Sequence, residues 1–255
     1  MVVEQIPKVF GFLYALALFV AGAWLLYSGR WTKRIGSLLL AVTIAFGFLI
    51  LTPILPYIIE TLLAGNPVAP GVPPLVPVAG IVLMLLLSLL FGRFYCGYLC
   101  PAGAVQEAAY LAPVPKVMFR QKSLQTAVRL VVFAAVLIAA FAFSFSLLSL
   151  FGIADFFLLT LSAAFFVFLG IVLLSLVIYR PFCRFICPFG AMVQGPAATS
   201  VMKIRRTDAC IDCHKCEKAC PTDEAKRDDA KGECYLCGRC LEVCPVAGAL
   251  RYGRK

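Results

Sequence analysis

Twelve cysteines in 255 residues fall into four groups whose spacing sets the chemistry. From Cys210 the chain reads "CIDCHKCEKACP", and from Cys234 it reads "CYLCGRCLEVCP". Both are C-x2-C-x2-C-x3-C-P. In a run of this kind three closely spaced thiolates wrap one [4Fe–4S] cube, and the fourth ligates the neighbouring cube. The expected sets are therefore Cys210, Cys213, Cys216 and Cys244 for cluster A, and Cys234, Cys237, Cys240 and Cys220 for cluster B. Pro221 and Pro245 close the runs and turn the chain. A structural zinc site asks for four ligands, usually two C-x2-C pairs, so two complete runs exceed it. The segment has few large apolar residues, so cluster binding must supply much of its folding energy. Chelating iron or replacing Cys213 is expected to unfold it.

The other four cysteines form two matched pairs, in "FYCGYLCPAGAVQ" from Phe94 and "FCRFICPFGAMVQ" from Phe182. An offset of 87 residues superposes Cys96 on Cys183, Cys100 on Cys187, Arg93 on Arg180, Pro101 on Pro188 and Gly103 on Gly190. Four apart, the cysteines of each pair share a helix face, and the following proline ends or breaks that helix at the second one. If the two copies pack together, four thiols converge. Three readings stay open for them. They are small apolar side chains, a redox thiol or soft-metal site of the kind thiolates offer Cu(I), or one further Fe–S cluster held by Cys96, Cys100, Cys183 and Cys187. Arg93 and Arg180 would stabilise thiolates or serve as plain membrane anchors.

These pairs end long apolar runs. The chain is 62% hydrophobic and 14% charged, with a mean hydropathy of +0.94, far from a soluble domain. About 20 apolar residues cross a bilayer, and five stretches qualify: 9–27, 37–59, 78–94, 126–151 and 156–179. The first is read as a retained helix and not a signal peptide, since only Lys8 precedes it, offset by Glu4. Basic residues mark the cytoplasmic loops: Arg30, Lys33 and Arg34; Lys116, Arg120 and Lys122; and Arg180, Arg184, Lys203, Arg205 and Arg206. The proline-rich "GNPVAPGVPPLVP" has none and reads as an outer turn. The expected fold is thus an α-helical integral membrane protein of about five transmembrane helices over 1–202, followed by a bacterial-type two-[4Fe–4S] ferredoxin domain of α+β class over 203–255. The expected location is the inner (cytoplasmic) membrane, multi-pass, with the tail in the cytoplasm. On that side CxxC-rich spacing reads as metal ligation and not as disulfides. The net charge of +10 lies in the loops and gives no case for nucleic acid.

The motifs "CGYLCP", "CRFICP", "CIDCHKCEKACP" and "CYLCGRCLEVCP" resemble those of the NapH/NosR/FixG group of membrane polyferredoxins, from the third apolar run to the end. The resemblance implies an integral electron-transfer subunit that takes electrons from quinol and relays them to partner redox proteins. The copper-handling branch of that group implies a cupric reductase or assembly factor using the four membrane cysteines. The NapH type is drawn with four helices, and the flavin-binding region of the NosR type is missing here.

The expected function is a relay of electrons between a cytoplasmic redox carrier and a quinone pool or adjacent membrane subunit, as part of a larger complex. One histidine, His214, is too few for bis-histidine haem. It reads as a surface residue among the cluster ligands. No G-x-G-x-x-G fingerprint announces a flavin or nicotinamide site. Arg129 and Glu107 are candidates for quinone or proton contacts, or else charges that snorkel to the interface. Lys215, Lys218 and Arg239 would favour the reduced clusters or be solvated loop charges.

Overall fold

The computed structural model describes residues 16–49, 59, 62, 75–143 and 145–254. Helix α1 covers Leu16–Tyr27, α2 Lys33–Leu49, α3 Leu75–Phe91, α4 Pro101–Tyr110 and α5 Lys122–Phe143. A 3-10 turn at Leu147–Phe151 precedes α6 (Ile153–Phe157), then come α7 (Ala163–Leu174) and α8 (Pro188–Ala198). The tail adds β1 (Met202–Arg206), α9 (Lys215–Ala219), α10 (Arg239–Glu242) and β2 (Leu250–Arg254). Strands β1 and β2 pair antiparallel, with Ile204 opposite Tyr252, both buried inward. The Tyr252 hydroxyl donates to the Phe91 carbonyl at 2.9 Å, which ties this sheet to the end of α3.

The five-span reading is corrected. Among the described residues one helix, α5, is long and apolar enough to cross a membrane. An apolar run is not the same thing as a helix. The run over 156–179 is broken where Leu159 adopts φ +54°. Ser162 then caps a new helix by accepting from the Phe165 N–H, and that helix, α7, has only 12 residues. The run over 78–94 gives a 17-residue helix, α3, ended by Gly92 at φ +73°. The run over 126–151 gives α5 and then a 3-10 turn. Of the first two runs, residues 9–15 and 50–58 lie outside the described residues, as does most of the proline-rich segment; α1 and α2 are what is described. Hydropathy counts residues but cannot see a left-handed break.

Candidate metal centres

The twin motifs fold alike. Each apolar approach ends in a single π-helical turn, Tyr95–Leu99 and Phe182–Ile186, a geometry met often at functional sites. The Cys100 N–H donates to the Tyr95 carbonyl and the Cys187 N–H to the Phe182 carbonyl, both at 2.9 Å. Each second cysteine is extended (ψ 117° in both), as a residue before proline must be. The proline then opens α4 or α8 at its first position. The next glycine is forced by close approach. A Cβ on Gly103 would lie 2.6 Å from the Cys96 carbonyl oxygen, and one on Gly190 2.8 Å from that of Cys183. The 87-residue repeat is thus a repeat of conformation, read in the sequence as C-x3-C-P-x-G.

The turns bring the thiols inward. Cys96, Cys183 and Cys187 belong to one buried core cluster, with Cys100 packed against it. Burial pushes the Cys96 and Cys100 thiols up to about 11, and each neighbouring thiol adds to the rise. Cys183 is pushed up to about 12 by burial and by Cys100. Working the other way, the Cys187 sulfur accepts from the Gly190 N–H at 3.4 Å, and the nearby backbone N–H groups of Gly103 and Ala102 act to lower the Cys100 thiol. Both second cysteines therefore sit at the positive end of a helix, which favours a thiolate or another anion.

Four buried arginines lie in the same region, of which Arg93 and Arg180 act directly on the thiols. Arg93, Arg129, Arg180 and Arg184 are each 1% exposed. Arg180 donates to Glu107 at 2.9 Å and to the Gly97 carbonyl at 2.6 Å, and it also binds the Cys96 carbonyl. Its repeat partner Arg93 donates to Glu233 at 2.8 Å and to the Gly190 carbonyl at 3.0 Å. Each of these two arginines thus grips the backbone of the opposite copy. Arg129 binds Glu233 and the Arg184 carbonyl, and Arg184 binds Gln125. The two acidic partners, Glu107 and Glu233, are outnumbered, since Arg239 also donates to Glu107 at 2.5 Å. Buried charge without a partner is costly, so the surplus asks for an anion in the same place.

In the tail both runs bend in the same manner. Asp212 and Leu236 take φ +47° and +56°, and His214 and Gly238 take φ +56° and +80°. These are matching positions 24 residues apart. The bends curl the cysteines of each run about a hollow. One cavity is lined by Cys210, Cys213, Cys216 and Cys244. Another is lined by Cys234, Cys237, Cys240 and Cys220, with Tyr179, Tyr235 and Arg239 beside them. Each hollow thus takes three cysteines from one run and the fourth from the other. The donor sets suit a [4Fe–4S] cube, all thiolate and four in number.

The sequence matches the family described as "4Fe-4S binding domain" at residues 73–122 and again at 160–207, starts that lie 87 residues apart. The two matches contain the C-x3-C-P pairs and stop short of the tail runs. The ferredoxin-type protein MauN of Methylorubrum extorquens is 30% identical over 225 residues, covering 82% of this chain and 71% of the relative. This chain belongs to the NapH-like polyferredoxin family. NapH of Haemophilus influenzae is 25% identical over 183 residues, 64% of this chain and 63% of the relative. YccM of Escherichia coli is 29% identical over 195 residues, 68% of this chain, and the match spans about half of the relative (54%). No solved structure matches the chain.

Several sequence candidates take new settings in this polyferredoxin. Arg129 and Glu107 are both buried and ion-paired. Arg239 is held by Glu107, whereas Lys215 and Lys218 are exposed. His214 is exposed and pairs with Glu217 at 3.0 Å. Glu233, Tyr235, Gln106 and Gln125 were not singled out by sequence. One signal pointed to them: four arginines set in or beside apolar runs must find partners, and acidic residues are scarce.

Proposed function

We propose that the chain is an electron-transfer subunit held at a membrane, relaying single electrons between a soluble redox carrier and a partner in the lipid phase. Clusters A and B would be held by the two tail sets given above. A third cluster would be held by Cys96, Cys100, Cys183 and Cys187. The observation that carries the reading is the pair of tail hollows, each lined by three cysteines of one run and one of the other. For the four inner cysteines the support is the arginine surplus, because a cube held by four thiolates is an anion, together with the domain description at 73–122 and 160–207. Bound there, Fe–S cubes supply one-electron storage at potentials set by charge, hydrogen bonds and exposure. The protein's own part is to bury the thiols, offer helix N–H groups to them and balance their charge.

Membrane attachment is supported by α5, whose Val131, Phe141 and Phe143 are 69%, 67% and 75% exposed, and by exposed valines and leucines along α3. Apolar faces of this extent are unusual in water. Basic residues crowd the end of α5 that meets the tail, which by the positive-inside rule is the cytoplasmic side. The lipid-phase partner would be a quinol or an adjacent subunit, and the chain completes no reaction alone. An EPR-monitored redox titration, wild type against Cys100→Ser, tests the scheme. Loss of one signal with two tail signals intact supports it; an unchanged spectrum removes the third cluster.

A further inference from the structure

Resting on the four-cysteine cluster reading just given, we propose that Tyr235 and Gly97 form the electron junction between that site and the tail. The set Cys220, Cys234, Cys237 and Cys240 is then the proximal partner, and the set Cys210, Cys213, Cys216 and Cys244 the distal one.

Tyr235 stands between two ligands, Cys234 and Cys237, and is 2% exposed. Its carbonyl oxygen packs on the peptide next to Cys96: a Cβ on Gly97 would lie 2.3 Å from it. No residue with a side chain allows that approach. The contact is held from several directions. Arg180 donates to the Gly97 carbonyl at 2.6 Å while its guanidinium lies 4.9 Å from the Tyr235 ring centre. Arg93 lies 5.3 Å from the same ring and donates to the Tyr235 hydroxyl at 3.3 Å. One ring therefore faces both repeat-related arginines. Such cation–π contacts are strongest where water is excluded. Tyr98 donates to the Leu236 carbonyl at 3.3 Å, fixing the left-handed bend, φ +56° at Leu236, that presents Tyr235.

Among the described residues the other tail hollow has no such link. Its lining comes wholly from Arg206 onward, and Cys213 is exposed. It faces outward, where a soluble carrier docks. Between the proximal set and Cys96 the route is the covalent step from Cys234 to Tyr235, one van der Waals gap to Gly97, and the covalent step to Cys96. In either direction one electron leaves one set, which is oxidised by one, and arrives at the other, which is reduced by one. No bond is made or broken and no proton moves.

The test uses the full chain, prepared without oxygen and carrying its clusters. In the fully reduced state the four-cysteine EPR signal should be broadened by its proximal neighbour's spin. In wild-type protein reduced stepwise, that broadening should grow with the tail signal that a water-soluble paramagnetic ion relaxes least and be indifferent to the one it relaxes most, since the distal set includes the exposed Cys213; the reverse pattern overturns the order. For the junction, the rise of the four-cysteine signal is followed after a pulse of photochemical reductant. Gly97→Ala and Tyr235→Leu should slow it severalfold, while Tyr235→Phe, which keeps ring and peptide, stays near wild type. Should Gly97→Ala not fold, Tyr98→Phe removes only the bond to Leu236 and should give a smaller slowing. Rates equal across these variants, with all signals present, overturn the junction. A wild-type protein with no third signal instead overturns the reading of the four cysteines, and the junction with it.

Discussion

A methyl group at Gly103 or Gly190 has nowhere to go, because a carbonyl oxygen of the preceding turn already fills the space. Overpacking of this kind costs typically 1–3 kcal/mol, about what Gly103→Ala and Gly190→Ala should show as lost stability on chemical unfolding. Glu233 is a harsher case. It lies between Arg93 and Arg129 at 5% exposure, so Glu233→Gln leaves buried positive charge uncompensated, a loss of roughly 3–5 kcal/mol. The exposed Lys33–Glu242 pair, 3.9 Å apart, is the control; Lys33→Ala should change stability by less than about 0.5 kcal/mol. Glu107 gives a pH signature. Burial would raise its pKa, but Arg180 and Arg239 outweigh burial and hold the carboxyl below its ordinary value of 4.5. A depressed carboxylate contributes stability above its unfolded pKa and loses it as pH falls through the folded one. Unfolding midpoints of wild type and Glu107→Gln should therefore differ at pH 7 and converge in strong acid.

At the scale of elements, the C-x3-C-P-x-G pairs were legible because every feature is local: a proline fixes the residue before it, and a glycine admits a carbonyl one turn away. The family was legible for the same reason. The five spans were not, since apolar runs pass without a change in hydropathy through the left-handed break at Leu159 and the stop at Gly92. Nor were the arginine partners, which come from 140 residues away for Arg93 and Glu233 and from 104 for Arg129 and Glu233. Helix α5 combines both lessons. Its first turns bury Gln125 and Arg129 against the tail, and the remainder is mostly exposed and apolar. If that remainder faces lipid, Val131→Asp near the helix centre should cost about 2.5–3.5 kcal/mol of insertion, seen as protein lost from membranes in an alkaline wash. Full retention would place this face elsewhere.

For the molecule as a whole, the tail and the helical part are one electrostatic unit. Glu233 and Arg239 come from the tail runs, and their partners Arg93, Arg129 and Glu107 from the helical part. Detaching the tail would strand charges on both sides, so removal of iron should loosen the four-cysteine region as well as the tail, visible as faster amide exchange in α4 and α8. The most direct measurement of the central claim is iron and acid-labile sulfide per chain in protein purified without oxygen. Three cubes require about twelve of each in the wild type and about eight in Cys183→Ser/Cys187→Ser. About eight in both proteins would contradict a cluster at the inner cysteines, and iron-free protein would contradict the whole scheme.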